Sequence, residues 1–336
     1  MDFNIKRHLG FFSKFERKIM EIIIRLVVRY YLKKPSLSEL ILIKVHTFKA
    51  GLFVLTNEIC YLLGLEKSFR LTSLSIEVTN HCNLACFMCP VGTRMKRPKG
   101  FMEEGLFRRI IDDNLHLEFI FLFQWGEPFL HPKIFEFIEY ASAKNIRTMV
   151  TTNGTFFSDE IIERILDSGL ERLTFSVDGV GTTYTRIRGF GYEQLKASIL
   201  KLKKLRDYKK SGLKIDISMV VFEETAGDIE KFMDEWGDIA DAIYLIPRFV
   251  PGIRKNKCRE MWRGNLTVLW DGRVVGCCSD FDGKMVVGDA TKEDISSIWN
   301  GEQAKQLRRL HSRRVFTGVC SNCGEYADPR ANMRFS

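Results

Sequence analysis

Six βα-type repeats between residues 71 and 250, the last without its helix, predict an α/β fold, a partial (βα)6 TIM-like barrel. Two flanking textures complete the fold class. Residues 1–70 show no strand alternation and predict a basic, helical N-terminal extension. Residues 251–336 are short-stranded, turn-rich and cysteine-bearing, and predict a small C-terminal cysteine-rich α+β domain.

In chain order, Lys14, Lys18, Glu21, Arg25, Arg29 and Lys33 recur every three or four residues and draw a polar stripe on an otherwise apolar helix. The run is too short and too charged to span a bilayer. A membrane-surface helix and a helix packed on the main domain both fit it. Pro35 separates it from a second apolar segment, Leu40–Leu65. The repeat then begins. Strands are expected at Leu74–Val78, Glu118–Phe123, Thr148–Thr152, Arg172–Val177, Lys214–Val221 and Ala242–Ile246. Helices are expected at Glu103–Asp113, Pro132–Lys144, Asp159–Asp167, Tyr192–Arg206 and Thr225–Glu235. Regular alternation argues for a parallel sheet, and six units for an open rather than a closed barrel. Beyond Pro247, Asn265–Trp270 and Arg273–Gly276 read as a hairpin around Asp271-Gly272, with a helix at Asp294–Arg309.

Charge is concentrated rather than spread. Residues 1–75 hold 13 Lys/Arg against 6 Asp/Glu, and the whole chain carries +9, so about +2 is left for the rest. The basic excess therefore belongs to the extension and not to a catalytic surface. With no base-stacking platform evident, nucleic acid is not expected as a partner. No secretory signal is read at the start, which predicts a cytoplasmic protein, peripheral at the inner face of the membrane if residues 1–70 bind lipid. The nine cysteines then read as metal ligands rather than disulfides, because most of them cluster.

The first cluster is Cys82, Cys86 and Cys89, spaced Cys-x3-Cys-x2-Cys directly after a predicted strand. Thiolates suit iron–sulfur clusters and zinc. Three of them leave one corner of a four-iron cluster open, as a catalytic cluster requires. A zinc site would need a fourth ligand, and His81, adjacent to Cys82, would strain a tetrahedral arrangement.

This motif resembles the signature of the radical S-adenosylmethionine (SAM) superfamily. Gly126-Glu127-Pro128 after the second strand resembles that family's Gly-Gly-Glu-Pro motif, with Trp125 in place of the first glycine. Asn153 in Thr152-Asn153-Gly154, and Ser176 and Asp178 in Ser176-Val177-Asp178-Gly179, fall at the next two strand ends. Arg188 lies in a stretch where relatives pair an arginine with the SAM carboxylate, with Arg186 as the alternative. The resemblance implies that Gly126, Glu127, Asn153, Ser176, Asp178 and Arg188 bind SAM. It also implies that the cluster cleaves SAM reductively to a 5′-deoxyadenosyl radical, which takes a hydrogen atom from the substrate.

A second set follows: Cys258, Cys277, and the pair Cys320 and Cys323. Four thiolates can complete a cluster with no open iron, suited to electron transfer or structure. The spacing resembles the SPASM/twitch extension in its single-cluster form, which implies two [4Fe–4S] clusters in all. Cys277 is preferred to its neighbour Cys278 by the Gly272-x4-Cys spacing, and a zinc ribbon is the alternative use of these thiols. Cys60 reads as a buried apolar residue.

The resemblance implies an oxidoreductase, with oxidation of a small polyol, sugar or lipid-linked substrate as the leading expectation. A ribosomal-peptide-modifying maturase is the alternative, and a zinc or iron–sulfur binding protein the non-enzyme alternative. Reduced flavodoxin or ferredoxin is the expected electron donor.

Overall fold

The computed structural model describes residues 55–248, 251–324 and 333–335. The expected amphipathic segment Lys14–Lys33 lies outside these residues, and of Leu40–Leu65 only the last part is described, with residues 55–63 helical. Among the described residues no helix is long and apolar enough to cross a membrane.

The six repeat strands form as expected: β1 Ser73–Ile76, β2 Phe119–Phe121, β3 Arg147–Thr152, β4 Arg172–Ser176, β5 Lys214–Val221 and β6 Ala242–Pro247. Each pairs in parallel with the next in sequence. Leu74, Ile76, Ile120, Val150, Leu173, Phe175, Ile215 and Ile217 have essentially no exposure. Helices cover the sheet with Phe107, Ile111, Ile138, Ile162, Leu195 and Trp236, also fully buried. Each such aliphatic side chain contributes about 1.5–3 kcal/mol when removed from water.

The barrel is open, and the C-terminal region extends its sheet. Three further strands, β7 Asn265–Val268, β8 Arg273–Val275 and β9 Val286–Asp289, and the short β10 Met333–Phe335 complete an order β10-β6-β5-β4-β3-β2-β1-β7-β8-β9. β7 pairs in parallel with β1, in register from Ser73–Asn265 to Ile76–Val268. The expected hairpin is present as β7 and β8, antiparallel. The cysteine-rich region is thus hydrogen-bonded to the first barrel strand.

Local chemistry explains where the helices depart from expectation. The run expected as one helix, Asp294–Arg309, is two, Ile295–Trp299 and Glu302–Ser312. Asp294 caps the first by accepting from Ser297 N. Asn300 then leaves the helix to hold both the N–H and the carbonyl of Ser68, and Gly301 restarts the chain. Likewise Thr225–Glu235 is broken at Gly227-Asp228 into Glu223–Ala226 and Ile229–Trp236, where Asp228 accepts from Val180 N. A helix not expected, Thr182–Arg188, ends on Gly189 at φ 70°.

Residues 55–70 dock on the C-terminal region. Trp262, fully buried, donates its indole N–H to Leu65 O at 2.7 Å. Arg308, 1% exposed, donates to Met261 O, Trp299 O and Glu66 O at 2.8, 2.8 and 3.1 Å. A buried guanidinium is tolerated here because carbonyls meet its donors.

Candidate active site

The residues that carry the sequence motifs meet at the C-terminal ends of the strands, around a cavity of ≈310 Å3. Cys82, Cys86 and Cys89 line it with Gly126, Glu127, Asn153, Ser176 and Arg188. The loop after β1 owes its shape to Asn80, fully buried, whose side chain donates to Pro98 O at 2.9 Å and accepts from Gly100 N at 2.9 Å. Cys89 precedes the four-residue helix Pro90–Thr93, which Pro90 starts at its first position. Asn153 reaches back from β3, donating to Asn83 Oδ1 at 2.8 Å.

Gly126 is required by geometry. It sits at φ +116°, and a Cβ there would stand 2.5 Å from Thr79 O and 2.8 Å from Asn80 Cα. This close approach lets Glu127 N donate to His81 O at 2.7 Å, which locks the second strand-end loop to the cysteine loop. Gly126→Ala therefore combines backbone strain with a backbone collision, at least ~2 kcal/mol. The expected outcome is folded protein that loses most of its capacity to take iron at the first cluster, read as iron per chain after anaerobic reconstitution.

Glu127 is 1% exposed, and its carboxylate accepts from Asn153 N at 2.6 Å, Thr152 Oγ1 at 2.8 Å and Phe129 N at 3.2 Å. Burial nonetheless pushes its pKa up to about 7 against those donors. Asp178 differs from its sequence expectation. It is fully buried behind the cavity wall, with one oxygen accepting from Val220 N at 2.7 Å and the other paired with Arg188 at 2.6 Å. Through this pair it contacts Arg188, which lies beside Cys86.

Arg94, Ser279 and Phe281 are among the lining residues that carried no signal in the sequence: Arg94 follows the cysteine-loop helix, and Ser279 and Phe281 come just after Cys277-Cys278. Arg248, which follows β6, also lines the cavity; its strand-end position was its signal in the sequence. Trp125 meets Phe281 edge-to-face at 6.1 Å, and its buried indole N–H has no partner among the described residues.

The loop bearing Phe281 is clamped to the cysteine loop. Arg97, 8% exposed, pairs both Nη atoms with the carboxylate of fully buried Glu77 and donates Nε to Phe281 O at 2.5 Å. Lys96 N donates to Asp282 at 2.8 Å.

The second thiol set also comes together. Cys258 and Cys277 pack beside Trp262, and Cys320 and Cys323 are buried. Cys320 feels the charge of Cys277 and Cys323, while Cys277 and Cys278 are within hydrogen-bond reach of each other. Burial pushes Cys258 and Cys320 up to about 12. In the first set burial raises Cys82 and Cys86, and Cys89 up to about 11. These seven thiols, three buried and four half-buried, are the soft donors that iron–sulfur centres take, and such centres would favour their thiolate forms. In donor chemistry the two sets fit a three-thiolate cluster facing the cavity and a four-thiolate cluster in the C-terminal region.

Comparison with known proteins agrees with the geometry. Residues 76–235 match the Radical SAM superfamily, and residues 258–324 match an iron–sulfur cluster-binding domain, SPASM. The S-adenosyl-L-methionine-dependent 2-deoxy-scyllo-inosamine dehydrogenase of Niallia circulans is 23% identical over 267 residues, 77% of this chain and 94% of that protein. The AdoMet-dependent heme synthase of Methanosarcina barkeri is 26% identical over 189 residues, 55% of this chain and 52% of that one, so the chain spans about half of its length. Streptococcus suis SuiB, solved bound to the precursor peptide SuiA, superposes with a TM-score of 0.59 at 14% identity, over 76% of this chain and 70% of that one. That likeness is one of fold.

Proposed function

Because the chain is a radical SAM enzyme with a C-terminal SPASM domain and two [4Fe–4S] clusters, we propose that it oxidises a small polyol, sugar or lipid-linked molecule. When bound, the clusters and SAM supply one-electron chemistry: a 5′-deoxyadenosyl radical that takes a hydrogen atom from carbon, and an acceptor for a further electron. Cys82, Cys86 and Cys89 would hold the cluster that binds SAM. Gly126 and Glu127, with Asn153 and Ser176, shape the wall on which SAM is oriented, and Arg188, steadied by Asp178, offers its charge beside Cys86. Cys258, Cys277, Cys320 and Cys323 would hold the second cluster. Trp125 and Phe281, in edge-to-face contact, supply apolar wall to the same cavity.

The observation that carries the small-molecule reading is the match to the 2-deoxy-scyllo-inosamine dehydrogenase, which extends over 94% of that protein's length. The residues that follow Cys277 line the cavity, so the C-terminal region takes part in the site. A peptide substrate is the second reading, favoured by the fold shared with a peptide-bound structure.

One experiment separates them. Reconstituted, reduced protein with SAM is given extract from cells grown in deuterated medium, split by ultrafiltration into small-molecule and macromolecular fractions. Deuterium in 5′-deoxyadenosine is expected from the small-molecule fraction. Transfer from the retained fraction alone would contradict the proposal and select a peptide.

A further inference from the structure

The cavity carries three guanidiniums, Arg94, Arg188 and Arg248, against one carboxylate, Glu127. Two of these four charges are already answered. Arg188 is paired with Asp178, and Glu127 is held by three donors. Arg94 and Arg248 have no carboxylate partner among the described residues. Neighbouring Arg97 shows the contrast, because its fork is filled by Glu77.

The two open arginines are also held alike. Arg94 lies over the Phe281 ring at 5.7 Å, and Arg248 lies over Phe222 at 5.2 Å and Phe87 at 5.7 Å. A cation–π contact of this kind uses no N–H donor, so the in-plane fork stays available. Both side chains are exposed, and two of them lining one cavity concentrate the same sign there. That fork matches phosphate and carboxylate oxygens bidentately.

We propose that Arg94 and Arg248 form an oxyanion-binding subsite, so that the substrate of this cavity is acidic, a phosphate ester or carboxylate-bearing molecule. This rests on the small-molecule reading above and narrows it. The rival anion is the carboxylate of SAM.

The test uses the full-length, anaerobically reconstituted protein with SAM present, and calorimetric titration with inorganic pyrophosphate, citrate and neutral myo-inositol. Pyrophosphate is expected to bind with an affinity that falls as salt rises. Its Kd is expected to rise at least about tenfold in R94Q/R248Q. Citrate binding without pyrophosphate binding would identify the carboxylate source, and the reverse the phosphate source. Absence of both, or binding unchanged in the double variant, overturns the subsite. So does a SAM Kd that rises in step with that of pyrophosphate, which would assign the arginines to the cosubstrate. Failure of the wild type to cleave SAM would instead strike the enzymatic reading and leave the binding data readable. Single variants R94Q and R248Q serve if the double variant melts early.

A second, independent observation concerns the other thiol set. Arg254, 8% exposed, donates Nη2 to Cys323 Sγ at 2.9 Å. His311, 2% exposed, accepts at Nδ1 from Cys258 N at 3.1 Å. A ring nitrogen that accepts carries no hydrogen, so Nε2 must carry it, and Nε2 is 3.3 Å from Cys320 Sγ. We infer that Arg254 and His311 are positioning residues whose hydrogen bonds to Cys323 and Cys320 raise the reduction potential of the second cluster. Redox titration of reconstituted protein followed by electron paramagnetic resonance reads this directly. Arg254→Gln and His311→Phe are each expected to make the second cluster harder to reduce at full iron content, with His311→Gln recovering part of the change. An unchanged potential at full iron overturns the inference. Loss of iron in every variant also overturns it, assigning these residues to cluster assembly instead.

Discussion

Alanine at Cys82, Cys86 and Cys89 together is expected to abolish reductive SAM cleavage while leaving the fold standing. The three thiols sit on one loop after β1, project into the cavity, and take no part in the hydrophobic core beneath the sheet. Their removal leaves no soft donors at that position, so the first cluster cannot be held. Iron is expected to fall from about eight to about four per chain, the remainder belonging to the second set. The melting temperature of the iron-free chain should change little, since exchanging cavity-lining thiols for methyl groups removes little packing. 5′-Deoxyadenosine, measured by liquid chromatography after reduction with dithionite, is expected to be undetectable above background.

The second large effect is on stability. Arg97→Ala strips the fork from Glu77, a carboxylate with no exposure, and leaves it one weak donor, Trp270 N at 3.4 Å. An uncompensated buried charge of this kind costs about 3–5 kcal/mol. The same substitution frees Phe281 O and so loosens the cavity wall. The expected results are a fall in melting temperature of about 5–10 °C and a loss of substrate turnover larger than the loss of SAM binding. Removing both charges, as Arg97→Met with Glu77→Leu, is expected to restore much of the stability but not the clamp on Phe281, so turnover should stay low. Thermal melts of the iron-free chains, with turnover on the reconstituted ones, check both halves. Equal stability of the single and double variants would remove the ion pair from the account.

Much of the site was legible because its parts recur at strand ends. Periodicity located the six strands of the repeat, and the strand ends and the loops that follow them are where a parallel sheet collects ligands. Cys82, Gly126, Asn153 and Ser176 could therefore be placed in one cavity before any coordinate was known. Long-range closure could not be read. β7 joins β1 across some 190 residues, and nothing in Asn265–Val268 says that its partner is Ser73–Ile76 rather than a neighbour in sequence. The helix Thr182–Arg188 was missed because it opens on two β-branched threonines, poor helix formers that tertiary packing overrides. β9 was missed because four residues with Gly288 near the end give no alternation to detect.

The same limit applies to roles. Asp178 looked like a direct contact because its motif stands at a strand end. Its side chain turns instead toward Arg188 and Val220 N, a choice set by what packs around it. Phe281 is held at the cavity by the Arg97–Glu77 clamp, which links residues 20 apart in sequence to a loop 184 residues away.

The most direct measurement is made on the unaltered chain. Purified and reconstituted without oxygen, then reduced in the presence of SAM, it should hold about eight irons and release methionine and 5′-deoxyadenosine in equal amounts. Zinc in place of iron, or a full complement of iron with SAM left intact, would contradict the assignment of this cavity to radical chemistry.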